Sequence, residues 1–194
     1  MATKKKTTKK TANTNVWMYA ILGIFAVLVV VAMVLSQPKN TATATNEALG
    51  EIIPVASADH VPEGTDPGPY PSSPPAGGKH YATPLAAGFY EENDPETLVT
   101  YPEGNLVHSL EHGYVIFWYN CQVSEDCVTL KTQIRSVMQE FSNVKLIAFP
   151  WADMNVPLAM TSWGRLLEFP SLDLDTMRTF VRNNRNKSPE PNVP

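Results

Sequence analysis

Residues 16–35, VWMYAILGIFAVLVVVAMVL, run for 20 positions without one charged side chain. No other feature constrains the chain as tightly. An α-helix rises 1.5 Å per residue, so about 20 apolar residues cover the roughly 30 Å of a bilayer's hydrocarbon. Trp17 and Tyr19 sit at one end of the run, where amphipathic rings favour the headgroup layer. Lys4, Lys5, Lys6, Lys9 and Lys10 lie just before it, and the positive-inside rule then puts the N-terminus in the cytoplasm and the rest of the chain outside. The alternative is a cleaved signal peptide, with Val34 and Ser36 small enough for its −3 and −1 positions. A signal core is usually about 7–15 residues long, which favours an uncleaved anchor here. The expected order is a basic cytoplasmic tail at 1–15, a transmembrane helix at 16–36, a flexible linker at 37–58, an extracytoplasmic domain at 59–188 and a tail at 189–194 that frays.

The formal net charge of −4 is an average over two unlike parts. Setting the five N-terminal lysines aside leaves ten basic against nineteen acidic residues, a net −9. Phosphate backbones are bound chiefly by Lys and Arg, so a nucleic-acid partner is not expected. The expected partners are the lipid bilayer, through residues 16–36, and a neighbouring membrane protein complex.

Outside the membrane, two cysteines read first as a disulfide. Cys121 and Cys127 enclose a short loop after an apolar run, without the CxxC spacing of thiol oxidoreductases. A bridge that staples the turn is the expectation.

The domain divides into two halves by composition. Residues 60–104 are dense in proline and glycine, which disfavour long regular elements. Tyr70, Tyr81, Phe89 and Tyr90 punctuate them, so an ordered loop layer wrapped on a core is expected rather than disorder. The second half is patterned. GYVIFWY at 113–119 and VKLIAF at 144–149 read as strands. Between them 124–141 carries apolar residues at helical spacing from a start near Ser124. Strand, helix, strand implies parallel neighbours joined by a right-handed crossover. LAMTSWGRLL at 158–167 reads as one more strand and 172–184 as an amphipathic helix with Leu174, Met177, Phe180 and Val181 on its apolar stripe. The fold class is therefore α/β: a small sheet with a strand-helix-strand unit and a C-terminal helix, covered by a Pro/Gly-rich loop layer and preceded by one transmembrane helix.

All four histidines, His60, His80, His108 and His112, fall between positions 60 and 112. His108 and His112 are four apart, on one side of either a helical turn or a strand, and such a pair can offer two imidazole nitrogens to one metal. The order is not the HExxH of zinc proteases. His60 and His80 flank a loop that can fold back onto the strand mouth, completing a candidate metal site of four imidazoles. Imidazole suits copper and zinc alike. Met154 and Met160 would add soft ligands favouring copper, although methionine is ordinarily core filler, and Glu111 is placed to orient an imidazole from outside the ligand set. Each ring taken alone could equally be a half-buried structural histidine bonded to backbone carbonyls.

The order of His60, PYPSSPPAGGKHY at 69–81, Gly88-Phe89-Tyr90, LVHSLEHGYVIFWY at 106–119, TSWGR at 161–165 and Pro189-Glu190-Pro191 resembles the bacterial family catalogued as domain of unknown function 3105. The resemblance covers most of the chain beyond the linker. Members usually carry a Thr-Ser-Gly-Pro-His-like run where this chain has Ala76, Gly77, Gly78, Lys79 and His80; the histidine is kept. The resemblance implies a single N-terminal span with an external domain, and it assigns no activity.

Three functions meet these observations. The first is a membrane-tethered extracytoplasmic protein that binds copper or zinc through the histidine cluster, for metal handling or delivery. The second is a non-enzymatic accessory subunit whose histidines are structural. The third, a metal-dependent hydrolase or oxidase, has only Glu111 as a candidate base where an enzyme needs a base and an open ligand position. The membrane reading makes its own prediction. The protein should stay in the pellet after a carbonate wash of membranes, and recovery of a mature form beginning near Gln37 would contradict it.

Overall fold

The computed structural model describes Tyr19 and residues 48–193. Apart from Tyr19, the expected basic tail, the span and the linker up to residue 47 lie outside the described residues. No helix among the described residues is long and apolar enough to cross a membrane.

One mixed sheet of six strands organises the domain. Its strands are β1 (Glu51–Ile52), β2 (Gly88–Phe89), β3 (Val115–Tyr119), β4 (Leu146–Pro150), β5 (Leu158–Ser162) and β6 (Arg165–Phe169), in the spatial order β1-β6-β5-β3-β4-β2. Three α-helices pack on it: α1 (Glu103–Glu111), α2 (Cys127–Glu140) and α3 (Leu174–Asn184). The central strand is β3, fully buried. It pairs parallel with β4, Ile116 opposite Ile147, and antiparallel with β5, Ile116 opposite Thr161. The parallel pair flanking α2 is the expected strand-helix-strand unit.

Alternation along β3 divides the core in two, because successive side chains point to opposite faces. Val115, Phe117 and Tyr119 join Leu130, Ile134, Val137 and Met138 of α2 and Met177, Phe180 and Val181 of α3. Ile116 and Trp118 face the other way and join Leu106 and Leu110 of α1. Both helices on the first face start at aspartates: the Asp126 side chain accepts from the Thr129 amide, and that of Asp173 from Asp175 and Thr176. Such caps satisfy helix donors that have no intrahelical partner. The cap of α2 is therefore Asp126, two residues beyond the expected start near Ser124. Cys121 and Cys127 are bridged as expected, tying the end of β3 to the first residue of α2.

Four expectations change. The pattern at 158–167 is a hairpin of β5 and β6 rather than one strand, Ser162 pairing with Arg165. Gly164, at φ +69° in the two-residue turn between them, takes a conformation costly for residues with a Cβ. The segment before the expected strand, left open between a helical turn and a strand, is a full helix, because α1 runs from Glu103 and ends only at the cap residue His112. The second part of the expected linker is also not a tether: β1 pairs with β6, Ile53 is buried, and Leu49 packs on the core. Finally, the expected fraying tail is bonded. Glu190 donates its amide to Glu111, and Lys145 Nζ donates to the carbonyls of Pro191 and Val193 at 2.8 and 2.7 Å.

The loop layer is ordered, as its aromatic residues led one to expect. Ala76 and Tyr81 are buried. Ser109 on α1 stitches the layer down, accepting from the Leu85 amide at 2.9 Å and donating to the Leu85 carbonyl at 2.8 Å.

The packing of residues 49–53 makes a stability prediction. Ile53→Ala should cost about 2 kcal/mol, the low end for a core isoleucine since Ile53 sits near the sheet edge. Denaturant unfolding reads this directly, and an unchanged midpoint would show that the segment is a tether after all.

Candidate metal centre

Helix α1 delivers its polar residues by the same periodicity that buries Leu106 and Leu110. At about 100° per residue, Glu111 lies roughly 60° to one side of His108 around the helix and His112 roughly 40° to the other. The loop layer covers one of these sides and the C-terminal tail the other. Within the loop layer, His60 and His80 are joined by an isolated parallel bridge: the His80 amide donates to Asp59 at 3.2 Å and the Val61 amide to the His80 carbonyl at 2.8 Å.

One donor atom from each of His60, His80, His108 and Glu111 lies within 4.8 Å of every other. The His60 and His108 rings stack nearly parallel at 5.2 Å between centroids, with His80 edge-on to both at 4.8 and 5.1 Å. His80 is fully buried, His108 and Glu111 nearly so, and His60 is exposed. The pocket is thus closed at the back and open at one ring.

Hydrogen-bond partners fix which nitrogen of each buried ring faces the centre. Nδ1 of His80 lies 2.8 Å from the Gly78 carbonyl, and Nδ1 of His108 lies 2.6 Å from the Tyr81 carbonyl. A carbonyl can only accept, so each Nδ1 carries the proton and donates it. In the neutral ring, Nε2 is then left with a lone pair, and both Nε2 atoms turn to the cluster. Burial pushes the His108 ring below the ordinary histidine range, the Tyr81 carbonyl opposes this, and the neighbouring rings of His112, His80 and His60 add to the lowering. The shift favours a neutral His108 whose Nε2 lone pair is turned inward, toward the cluster and His112 Nε2 at 2.9 Å.

Tyr81 is itself held. Its amide donates to Gly104 at 3.0 Å, and its ring lies so close to Gly104 that a Cβ there would meet it at 2.4 Å. No side chain larger than hydrogen leaves Tyr81 where its carbonyl meets His108.

The contact between His80 Nε2 and Glu111 Oε2 is 2.9 Å. A lone pair facing a carboxylate needs a cation between them, either a proton on one partner or a metal ion shared by both. Ligands about 2.1 Å from one ion stand about 3.4 Å apart at tetrahedral angles and about 3.0 Å apart at octahedral ones. The His80–Glu111 pair is already near that spacing. His60 Nε2, at 4.0 Å from the same oxygen, needs to close by under about 1 Å.

Compared with the sequence expectation, all four histidines converge, but the donor set differs by one residue. His112 stands one step out: its Nε2 is 2.9 Å from His108 Nε2 and 3.6 Å from Glu190 Oε2. Glu111, expected outside the ligand set, places its oxygen inside it. The reason is the helix, which turns residues 111 and 112 to opposite sides of His108. Met160 packs on the α2/α3 face of the sheet, opposite α1, and Met154 lies in the apolar cluster on the α1 side. The Gly78 and Tyr81 carbonyls and Glu190 went unread in the sequence. The carbonyls leave no residue-type signal, whereas Glu190 sits in the Pro-Glu-Pro run already noted.

A mixed α/β domain that presents a preorganised histidine–glutamate cluster between a loop layer and a helix end is the class that fold and site define. Within it, the family described as "Protein of unknown function (DUF3105)" matches residues 60–194. The chain belongs to that family, as its motifs led one to expect. No curated protein and no solved structure matches the chain.

Proposed function

We propose that this is a membrane-tethered, extracytoplasmic protein that binds one divalent transition-metal ion, zinc or copper(II), through His60, His80, His108 and Glu111, for metal handling or delivery. The observation that carries this reading is the pair of Nδ1–H bonds to backbone carbonyls. Metal-binding histidines donate their second ring nitrogen in this way, which sets tautomer and orientation together. A purely structural ring needs no convergence of lone pairs on a carboxylate.

The donor chemistry supports a divalent ion over copper(I). Imidazole and carboxylate are borderline to hard ligands, while thiolate and thioether select copper(I). Both cysteines are oxidised, and Met160 is on the far face of the sheet. The exposure of His60 supports handling, since a ligand at the surface gives an ion a way in and out while His80 and His108 stay seated. With Glu111 among the donors, the one candidate base for a hydrolytic or oxidative reaction is occupied.

The uncharged run at 16–35 and the lysines before it support the tether and its orientation, and the Cys121–Cys127 bridge is at home in an oxidising compartment.

Elemental analysis tests the reading on the domain begun at Asn46, where the compact unit starts. About one zinc or copper per chain is expected, lost in His80→Ala and His108→Ala and weakened roughly tenfold or more in Glu111→Gln. A folded, metal-free protein that binds neither ion in titration would contradict it and favour an accessory subunit with structural histidines.

A further inference from the structure

The Cys121–Cys127 bridge lies at the end of β3 away from α1 and its histidines, and the metal centre uses none of its surroundings. β3 and β4 run parallel, α2 crosses between them, and the bridge spans the gap from the end of β3 to the first residue of α2. In open α/β sheets this edge, outside the carboxyl ends of the strands, is where ligands bind.

The bridge adds little to the fold around it. A disulfide stabilises mainly by closing a loop of the unfolded chain, less so the shorter the loop, and these cysteines are only six residues apart. Both ends are held without it. Asn120 donates its amide to the Pro157 carbonyl at 2.9 Å and its side-chain nitrogen to the carbonyls of Ala152 and Met154 at 3.1 and 2.9 Å. Asp126 caps α2, whose Leu130, Ile134, Val137 and Met138 are seated in the core. An opened bridge leaves the strand end and the helix start where they are.

Its surroundings are open to a partner. Both cysteines are half-buried in a segment that is otherwise largely exposed. Val123 and Val128 stand beside them at 44% and 78% exposure. A groove of about 420 Å³ runs alongside, lined by Val123, Thr129, Pro157, Pro170 and Leu172 among others. The two sulfurs differ in their settings. Cys121 packs against the core, whereas Cys127 opens α2, where the unpaired N–H groups of the helix stabilise a thiolate. Glu92 places a carboxylate oxygen within 4.8 Å of both sulfurs, and Lys131, one turn beyond Cys127, bonds that carboxylate at 2.6 Å and offsets its charge.

We propose that Cys121–Cys127 is an exchangeable disulfide that oxidises a dithiol of a partner protein. The partner's first thiol gives its proton to water and attacks Cys127 Sγ as a thiolate; the bond to Cys121 breaks, and Cys121 takes up a proton from water. The partner's second thiolate then attacks the partner sulfur of the mixed disulfide and releases Cys127 at the helix start. Two electrons pass from the partner's sulfurs to the bridge, which becomes two thiols as the partner gains a disulfide. No metal takes part, so this inference stands apart from the histidine site.

The test uses the full chain in detergent with EDTA present, and as probe a reduced peptide whose two cysteines are separated by two residues. About one peptide disulfide per chain should form, roughly tenfold faster than with equimolar oxidised glutathione, and the reduced chain should still melt cooperatively. Offered the oxidised peptide, reduced Cys121→Ser should trap a mixed disulfide through Cys127, and Cys127→Ser roughly tenfold less. A bridge no faster than oxidised glutathione overturns the proposal. So does a reduction that unfolds the domain, which would mark a staple. Equal trapping by the two serine variants overturns the attack at Cys127.

Discussion

The carbonyl oxygens of Gly78 and Tyr81 each accept a ring N–H from a buried histidine, and the account of the site depends on these two bonds. They keep the lone pairs of His80 and His108 pointing at a common centre, beside a carboxylate that cannot pair with a lone pair unless a cation lies between. Such an arrangement is costly without a cation and favourable with one. The fold sustains the two bonds from a distance. Tyr81 is held against Gly104, the loop layer is stitched to α1 through Ser109, and α1 is anchored on the sheet by Leu106 and Leu110.

Two layers therefore converge on one helix end from opposite sides. The proline- and glycine-rich layer supplies His60 and His80, and the short bridge between those two residues sets their spacing. Proline density makes regular elements unfavourable there, yet it also lowers the entropy lost when a loop is fixed. That fits a region whose task is to hold two rings in place. The tail approaches from the other side and reaches His112. Residues 111 and 112 differ in role only because a helix turns them apart.

Much of the fold was legible in the sequence, since its strongest signals are periodic. Phe117 and Trp118 mark a strand buried on both faces, and the 128–141 spacing marks a helix between parallel strands. The hairpin at 158–169 was read as one strand because Trp163 and Gly164 make too brief an interruption in an apolar run. Helix α1 stayed undecided between a helical turn and a strand because its polar residues face a covering loop rather than solvent, which breaks the usual amphipathic contrast. For the site, clustering of all four histidines within about a quarter of the chain pointed to convergence. The choice between Glu111 and His112 was not legible, because spacing alone does not say which side of His108 the loop covers. The carbonyl acceptors are backbone atoms, which every residue has, so no residue type could reveal them.

Anomalous diffraction at the zinc edge, from Zn²⁺-loaded crystals of the domain begun at Asn46, tests the central claim most directly. The account predicts one strong peak about 2.0–2.2 Å from Nε2 of His80, Nε2 of His108 and a Glu111 oxygen. Density confined to surface carboxylates, with the His80 and His108 rings still facing an empty centre, would contradict it.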